Sequence, residues 1–348
     1  MPPPVPHRAG LTAPAKPQRS KQDTQYARLR PYLEKWGTQS LAYSCFQPDL
    51  HFFVQPKIGL LPYRTSMGTT LALGNPLCAP EHEEAFLKAF LDKHPRSLFA
   101  QVEGTTAATL RSLGLHVTPM GTDALIDIPS FTLHGKAKRD LRHYQNKSQE
   151  AQTDIQEAYD TPALRFELHQ ISKAWMQSKK VSTRELSFLI RPLAEHPEQA
   201  TRIFTASRAS QTLGFVLFDP IFNQGSCTGY TASILRELPH APEGTLDSII
   251  LHAIERFKDE GRRTLSLGVM PMYDMKNAAQ IHGSGARPLF HFCGALYRSP
   301  WQPICNLRGL SFHKSRYRPE TPPVFIATTS PIGLLQMAAL TRTCGLLP

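Results

Sequence analysis

The stretch GYTASILRELPHAPEGTLDSIILHAIERF, residues 229–257, reads as a strand, a loop and a helix in succession. A strand over 226–233 leads through Arg236 into a loop that Pro239 and Pro242 keep irregular. Glu243, Gly244 and Thr245 then open a helix that runs to Glu260 and stops at Gly261. Asp247 falls in its first turn, where a carboxylate complements the helix dipole. TLSLGV, 264–269, supplies the next strand, so the unit is strand–helix–strand. That order points to a mixed α/β fold.

Working outward, RIFTAS (202–207) and TLGFVLF (212–218) read as two strands before this unit, and PPVFIAT (322–328) as a last strand. Helices are expected over 135–151 and 162–179. Upstream, 23–36 reads as a short helix broken or begun at Pro31, and 51–54, 57–61 and 69–73 as strands. Pro80 opens a helix with acids in its first turn and Phe86, Leu87, Phe90 and Leu91 at helical spacing. SLFAQV, a short helix to Leu113 and a strand ending near Ile128 complete a second mixed unit. The expected organisation is a disordered basic tail (1–22), an N-terminal unit (23–130), a C-terminal unit (131–330) and a tail or short helix (331–348). The tail carries six prolines and four Lys or Arg before the first acid, Asp23, and can neither propagate a helix nor bury a core.

The chain has 348 residues, 39 Lys and Arg against 28 Asp and Glu, and so a formal charge of +11. The balance asks for an acidic partner: nucleic acid, anionic lipid or a phosphorylated substrate. No run of apolar residues is long enough for a conventional transmembrane helix; prolines 322, 323 and 331 interrupt the uncharged tract 321–341. The six cysteines form no CxxC pair, and His282, His291 and Cys293 have no standard metal spacing, so neither a metal nor a disulfide framework is signalled. Reduced thiols in a cytoplasm are the simpler reading.

Four stretches hold the chemistry-bearing residues. GKAKRDLRHYQNKSQEA (135–151) places Lys136, Arg139, Arg142 and Asn146 on or beside one helix side, able to address a phosphate-bearing ligand or simply to stay solvated. The helix start at Gly244 offers free backbone N–H groups to an anion, yet neither GxGxxG nor GxxxxGK[ST] is present. LSLGVMPMYD (265–274) sets Met270 beyond a strand, lining a pocket or packing a core. CNLRGLSFHKSRYRP (305–319) interleaves Lys314, Arg316 and Arg318 with Phe312 and Tyr317. No nucleophile elbow, HExxH or paired-carboxylate motif occurs.

Taken in order, these stretches resemble the cytosolic C-terminal synthase domain of the lysyl- and alanyl-phosphatidylglycerol synthases. GKAKRDLRHYQN is similar to that family's GKKxxxLRxxxN. Trp175, Lys179, Glu185 and Phe188 match its W-x-x-x-K helix and the E-x-x-F after it. SILR (233–236) and PEGTLD stand where the family has DLMR and P-x-G-x-M-D. LGVMPM stands for LGMAPL, and CNLRGLSFHKSRYRP for YNFxGLxxFKxKFxP. The resemblance spans about 131–328.

It implies two tandem acetyltransferase-like (GNAT) domains and transfer of an aminoacyl group from aminoacyl-tRNA, the co-substrate, to a hydroxyl or amine. No other cofactor is implied. Aminolysis or alcoholysis of an activated ester needs orientation, proton removal and oxyanion stabilisation, and no protein nucleophile. By the resemblance Glu185 and Arg236 are catalytic. Arg236 would hold a phosphate or the oxyanion, and Glu185 the donor's amino group or a base. Lys136, Arg139, Arg142, Asn146, Lys179, Gly244, Asp247, Met270, Lys314 and Arg316 would bind substrates. The sequence departs from the family at Ser233, where the family has Asp. The acceptor, lipid or small molecule, stays open, and so does contact of 321–341 with a bilayer surface. The expected location is cytoplasmic, with or without peripheral membrane contact. Two alternatives stand beside this reading: an acyl-CoA-dependent GNAT, disfavoured by the missing [QR]xxGx[GA] loop before 245, and a degenerate domain that only binds tRNA or an anionic surface.

Overall fold

The computed structural model of the protein describes residues 21–178, 187–195, 199–282, 285–298 and 307–345. Helix α1 (Lys21–Trp36) carries Pro31 inside it and leads into the first half of the fold. That half contains β1 (His51–Gln55), β2 (Gly59–Ser66), β3 (Thr69–Leu73), β4 (Leu77–Cys78), α2 (Glu83–Lys93), β5 (Ser97–Val102), α3 (Gly104–Ser112) and β6 (His116–Asp127). The second half contains α4 (Arg139–Glu150), β7 (Asp154–Ala158), α5 (Pro162–Ser178), β8 (Arg202–Arg208), β9 (Gln211–Asn223), β10 (Ser226–Glu237), α6 (Thr245–Asp259) and β11 (Thr264–Pro271). Three helices, α7 (Met275–His282), α8 (Arg287–Arg298) and α9 (Leu307–Ser315), precede β12 (Pro323–Thr328) and α10 (Leu334–Thr343).

One mixed sheet carries the molecule, in the order β1-β2-β3-β5-β12-β6-β11-β10-β9-β8-β7, with β4 paired to β2. Both halves repeat one connection. Three antiparallel strands feed a helix, which returns as a strand parallel to the third: β1-β2-β3-α2-β5, then β8-β9-β10-α6-β11. This duplication is the acetyltransferase-like pairing the resemblance implies. The halves share more than a border. β12, which the sequence alone assigns to the second unit, lies antiparallel between β5 and β6 of the first, and β11 pairs with β6.

Packing explains the element choices. On α6, Ile249, Ile250, Ala253, Ile254 and Phe257 are buried against Phe204, Phe218 and Tyr230 of the sheet. The Phe257 ring stacks 4.3 Å from that of Tyr230 and meets Phe218 edge-on at 5.2 Å. Truncating such a ring to Ala typically costs about 3–5 kcal/mol. Strand β9 runs five residues past the expected 212–218 despite Pro220, because β8 pairs only as far as Phe218. The missing proline N–H therefore falls where no strand needs it. The tract 321–341 owes its lack of charge to β12 and α10, whose Gln336, Met337, Ala339 and Leu340 are buried. Only Ile332, Leu334 and Leu335 remain as exposed large apolar side chains there, which confines any bilayer contact of this tract to them.

Candidate active site

β10 and β11 are paired at only three positions, Gly229 with Thr264, Tyr230 with Leu265 and Thr231 with Ser266. Gly229 is needed there, since a Cβ would come within 2.0 Å of the Thr264 carbonyl oxygen. Beyond that point both strands are irregular. β10 shifts register against β9 between Ala232 and Ile234. β11 bulges against β6 between Ser266 and Val269, with Gly268 at φ 81°. A bulge bends a strand and raises its twist, and here it accompanies the parting of two parallel strands. The gap opens into a cavity of about 780 Å³.

One wall belongs to β10 and α5. Arg236 is buried, donates from Nη1 to Ser172 Oγ, and lies 5.0 Å from the centre of the Trp175 ring. A desolvated guanidinium over an indole gains cation–π attraction. Arg236 and Trp175 both line the cavity. Ser233, next to them, donates its hydroxyl to the Leu217 carbonyl at 3.2 Å, so its proton is committed to the backbone.

The opposite wall belongs to β11 and α9. Lys314 is buried and donates from Nζ to the Val269 carbonyl at 3.0 Å, on the bulge. Burial pushes its ammonium down to about 8, against the opposing pull of Asp123. Arg316 donates to both oxygens of Asp247, at 3.0 and 3.2 Å, and its guanidinium sits 4.5 Å from the Tyr144 ring centre. Tyr317 donates to the same carboxylate at 2.6 Å. Asp247 thus anchors Arg316 and the end of α9 to the first turn of α6. His313, between them, is held below the ordinary histidine range by burial.

The floor holds a second buried ion pair, Arg191 with Asp219, at 2.6 and 3.1 Å, to which Thr201 adds a hydrogen bond of 2.9 Å. Breaking such a pair by removing one partner commonly costs about 3–5 kcal/mol. Apolar side chains from three helices, among them Cys293, Leu310, Met337 and Leu340, line the rest.

Several residues expected at the site are brought together. Arg236, Gly244, Asp247, Lys314 and Arg316 all line the one cavity. Gly244 has φ 87°, and a Cβ would lie 2.6 Å from that of Tyr144. Its role is to let α4 close over the start of α6 and not to leave that start open for an anion. Others are not brought in. Lys136, Arg139 and Asn146 are exposed, and Arg139 lies 3.6 Å from Asp140. Arg142 donates to the Gly135 carbonyl at 2.8 Å and to that of Leu133, bracing the loop before α4. It is Tyr144, on the same helix, that reaches the cavity. Met270 is fully buried in the core under α6, while its neighbours Val269 and Pro271 line the cavity, because strand side chains alternate; Met272, just past the strand, lines it too. Glu185 and Lys179 lie outside the described residues. Among the described residues no group of three or more His, Cys, Asp or Glu could hold a metal ion.

Sequence reasoning passed over Tyr144, Ser172, Arg191 and Asp219. Tyr144 meets Gly244 from 100 residues away and carried no local signal. Arg191 and Asp219 are 28 residues apart in loop and strand and had none.

Residues 30–328 match the family model described as phosphatidylglycerol lysyltransferase, C-terminal. The phosphatidylglycerol lysyltransferase of Bacillus subtilis (strain 168) is 25% identical over 312 residues, covering 88% of this chain and 35% of that protein. That of Staphylococcus haemolyticus (strain JCSC1435) is 24% identical over 314 residues, covering 86% and 35%. The chain therefore spans about a third of the length of these relatives. Two solved structures share the fold. One is the C-terminal domain of a protein described as a lysylphosphatidylglycerol synthetase from Agrobacterium fabrum, with a TM-score of 0.76 at 18% identity over 94% of this chain and 99% of that one. The other is L-PGS from Bacillus licheniformis, with a TM-score of 0.74 at 20% identity over 92% and 96%. With the family model covering most of its length, the chain belongs to the phosphatidylglycerol lysyltransferase C-terminal family.

Proposed function

We propose that the protein is an aminoacyltransferase. It moves an aminoacyl group from aminoacyl-tRNA to a hydroxyl or amine acceptor, with the lipid phosphatidylglycerol as the leading acceptor. The observation that carries this reading is the cleft between β10 and β11. It holds a buried guanidinium, Arg236, and a buried amine of lowered basicity, Lys314, in one cavity large enough for two reacting groups.

The chemistry follows from those two groups. Neutral Lys314 takes the proton from the acceptor hydroxyl as its oxygen attacks the ester carbonyl carbon. Negative charge develops on the carbonyl oxygen, and Arg236, fixed by Ser172 and Trp175, stabilises it without reorganising. The tetrahedral centre collapses, the C–O bond to the tRNA ribose breaks, and the proton held by Lys314 returns to the leaving ribose oxygen. No covalent enzyme intermediate is needed. Ser233 brings no carboxylate to that position and its hydroxyl donates to the backbone, so proton removal falls to Lys314.

Two surfaces support the partners. Exposed Lys136 and Arg139 offer phosphate contacts of a sequence-independent kind to an RNA acceptor stem. Along residues 275–345 Lys276, Arg287, Arg308, Arg318 and Arg342 are exposed, against one acid, Glu320. Within that segment Phe292, Leu310, Phe312 and Leu335 are exposed. Basic residues among exposed apolar ones suit peripheral contact with an anionic lipid surface. Among the described residues no helix is long and apolar enough to cross a membrane. An acyl-CoA donor suits the site less well. Tyr144 packs against Gly244, and Glu243 sets a carboxylate at the amino end of α6, where a pyrophosphate would bind.

The test is transfer of labelled amino acid from a charged tRNA pool to phosphatidylglycerol vesicles by the purified protein. Labelled lipid that disappears when the tRNA is first digested with ribonuclease is the expected result. Transfer that survives digestion, or no transfer to lipid or to small hydroxyl and amine acceptors, overturns it.

A further inference from the structure

The transfer step as drawn needs a lysine that is neutral often enough to accept a proton, and the structure holds a carboxylate positioned to control this. Asp123 sits on β6, directly opposite Val269 in the β6–β11 register. Val269 is the residue whose carbonyl receives the Lys314 ammonium at 3.0 Å. Asp123 is 4% exposed. Ser40 donates to one of its oxygens at 2.6 Å and Ser266 to the other at 2.7 Å. Ser266 Oγ in turn accepts from the Gly268 N–H at 2.9 Å, and a Cβ on Gly268 would lie 3.4 Å from Lys314 Nζ. Carboxylate, hydroxyl, bulge and amine form a continuous set of contacts.

The other charges around Lys314 are accounted for. On its own helix and just beyond it are His313 and Arg316; from α6 comes Asp247, which Arg316 holds at 3.0 Å. Arg236 of β10 stands across the cavity. Among the described residues no carboxylate comes within ion-pair distance of Lys314. Asp123, opposite the Val269 that holds the amine, pulls it toward its charged form without forming an ion pair with it.

We propose that Asp123, contributed by the first half of the chain and clamped by Ser40 and Ser266, is a positioning residue that sets the protonation of Lys314 for the transfer step. The half of the molecule that lacks the open cleft thereby acts on the chemistry of the half that has it. The proposal rests on the proton-accepting role given to Lys314 above.

The experiment follows the Lys314 titration by NMR in the full chain labelled with 13C at lysine Cε, with Lys314→Arg to assign the signal. In parallel, kcat/KM for transfer is measured against pH. In Asp123→Asn the Lys314 midpoint should fall by about one unit or more, since a negative neighbour is lost, and the acid limb of the rate profile should move down with it. Asp123→Glu, which keeps the charge, should stay near the wild-type midpoint. If Asp123→Asn does not fold, Ser266→Ala reads the same coupling with the opposite sign. It strips a donor from the carboxylate, concentrates its charge and raises the midpoint. A titration unmoved in Asp123→Asn, or moved equally by Asp123→Glu, overturns the proposal. A titration that moves as stated while no variant, wild type included, transfers anything keeps the coupling and overturns the functional reading instead.

Discussion

The two halves of the sheet use the same connection and end it differently. In the first, β3 and β5 stay paired from Thr70–Ser97 to Leu73–Ala100. The pairing continues as the Gly74 N–H bonds the Ala100 carbonyl at 2.9 Å. Side chains then seal the end. Gln39 accepts from the Asn75 N–H at 2.8 Å and donates to the Gln101 carbonyl, and Asn75 accepts from the Glu103 N–H at 3.0 Å. In the second half, β10 and β11 part after three pairs and leave the cavity of Arg236 and Lys314. A parallel pair flanked by a helix is thus a neutral scaffold. Whether it becomes a site depends on whether hydrogen bonds close it or a bulge opens it.

Mutations on the two sides of this contrast should behave in opposite ways. The largest effect is expected at Arg236, where Arg236→Ala should lower kcat for aminoacyl transfer about 100-fold or more. Steady-state kinetics with charged tRNA would check this, and a loss under threefold would break the contrast. Next comes Gly244→Ala. Its Cβ would press on the Tyr144 side chain and backbone at 2.6–3.0 Å, and its φ of 87° suits only glycine. A loss of about 1–3 kcal/mol in urea unfolding is expected.

Lys314→Met should be a variant that loses transfer and gains stability. The folded-state pKa of about 8 is depressed from 10.5, so burying Lys314 costs most below pH 8 and progressively less as pH rises toward 10.5. The gain should be about 1–3 kcal/mol at pH 7 and should vanish near pH 10.5, as read from denaturation midpoints across that range. The smallest effect is expected in the closed half. Asn75→Ala removes the bonds to Glu103 at 3.0 and 3.1 Å, should cost about 1 kcal/mol of stability, and should leave transfer rates unchanged.

Much of the second half was legible in the sequence. The strand, loop and helix around 229–257 stand within a few residues of where their patterning puts them, because Gly, Pro and Asp at element ends act locally. Arg236 and Lys314, singled out through ordered motifs, line one cavity. What escaped was orientation. The basic run in α4 looked like the ligand-facing side of a helix, yet Lys136, Arg139 and Asn146 face solvent and Tyr144 faces the cavity. Charge patterning cannot say which side of a helix a neighbour will cover. Met270 illustrates the same limit on a strand, where a bulge two residues earlier decides which side chain turns inward.

By itself the sequence determined the alternation of strands and helices, the mixed α/β class and the motifs that place the chain in its family. These depend on propensity, capping and spacing, which are properties of neighbouring residues. The tertiary structure alone decided three things. β12 returns to the first half and knits the halves into one sheet. Arg191 meets Asp219, and Arg316 meets Asp247, across long separations. Ser40, far upstream of every motif, meets Asp123, and Asp123 stands opposite the residue whose carbonyl receives the lysine of the last motif. Such encounters follow from strand order and register, which no local run of residues encodes.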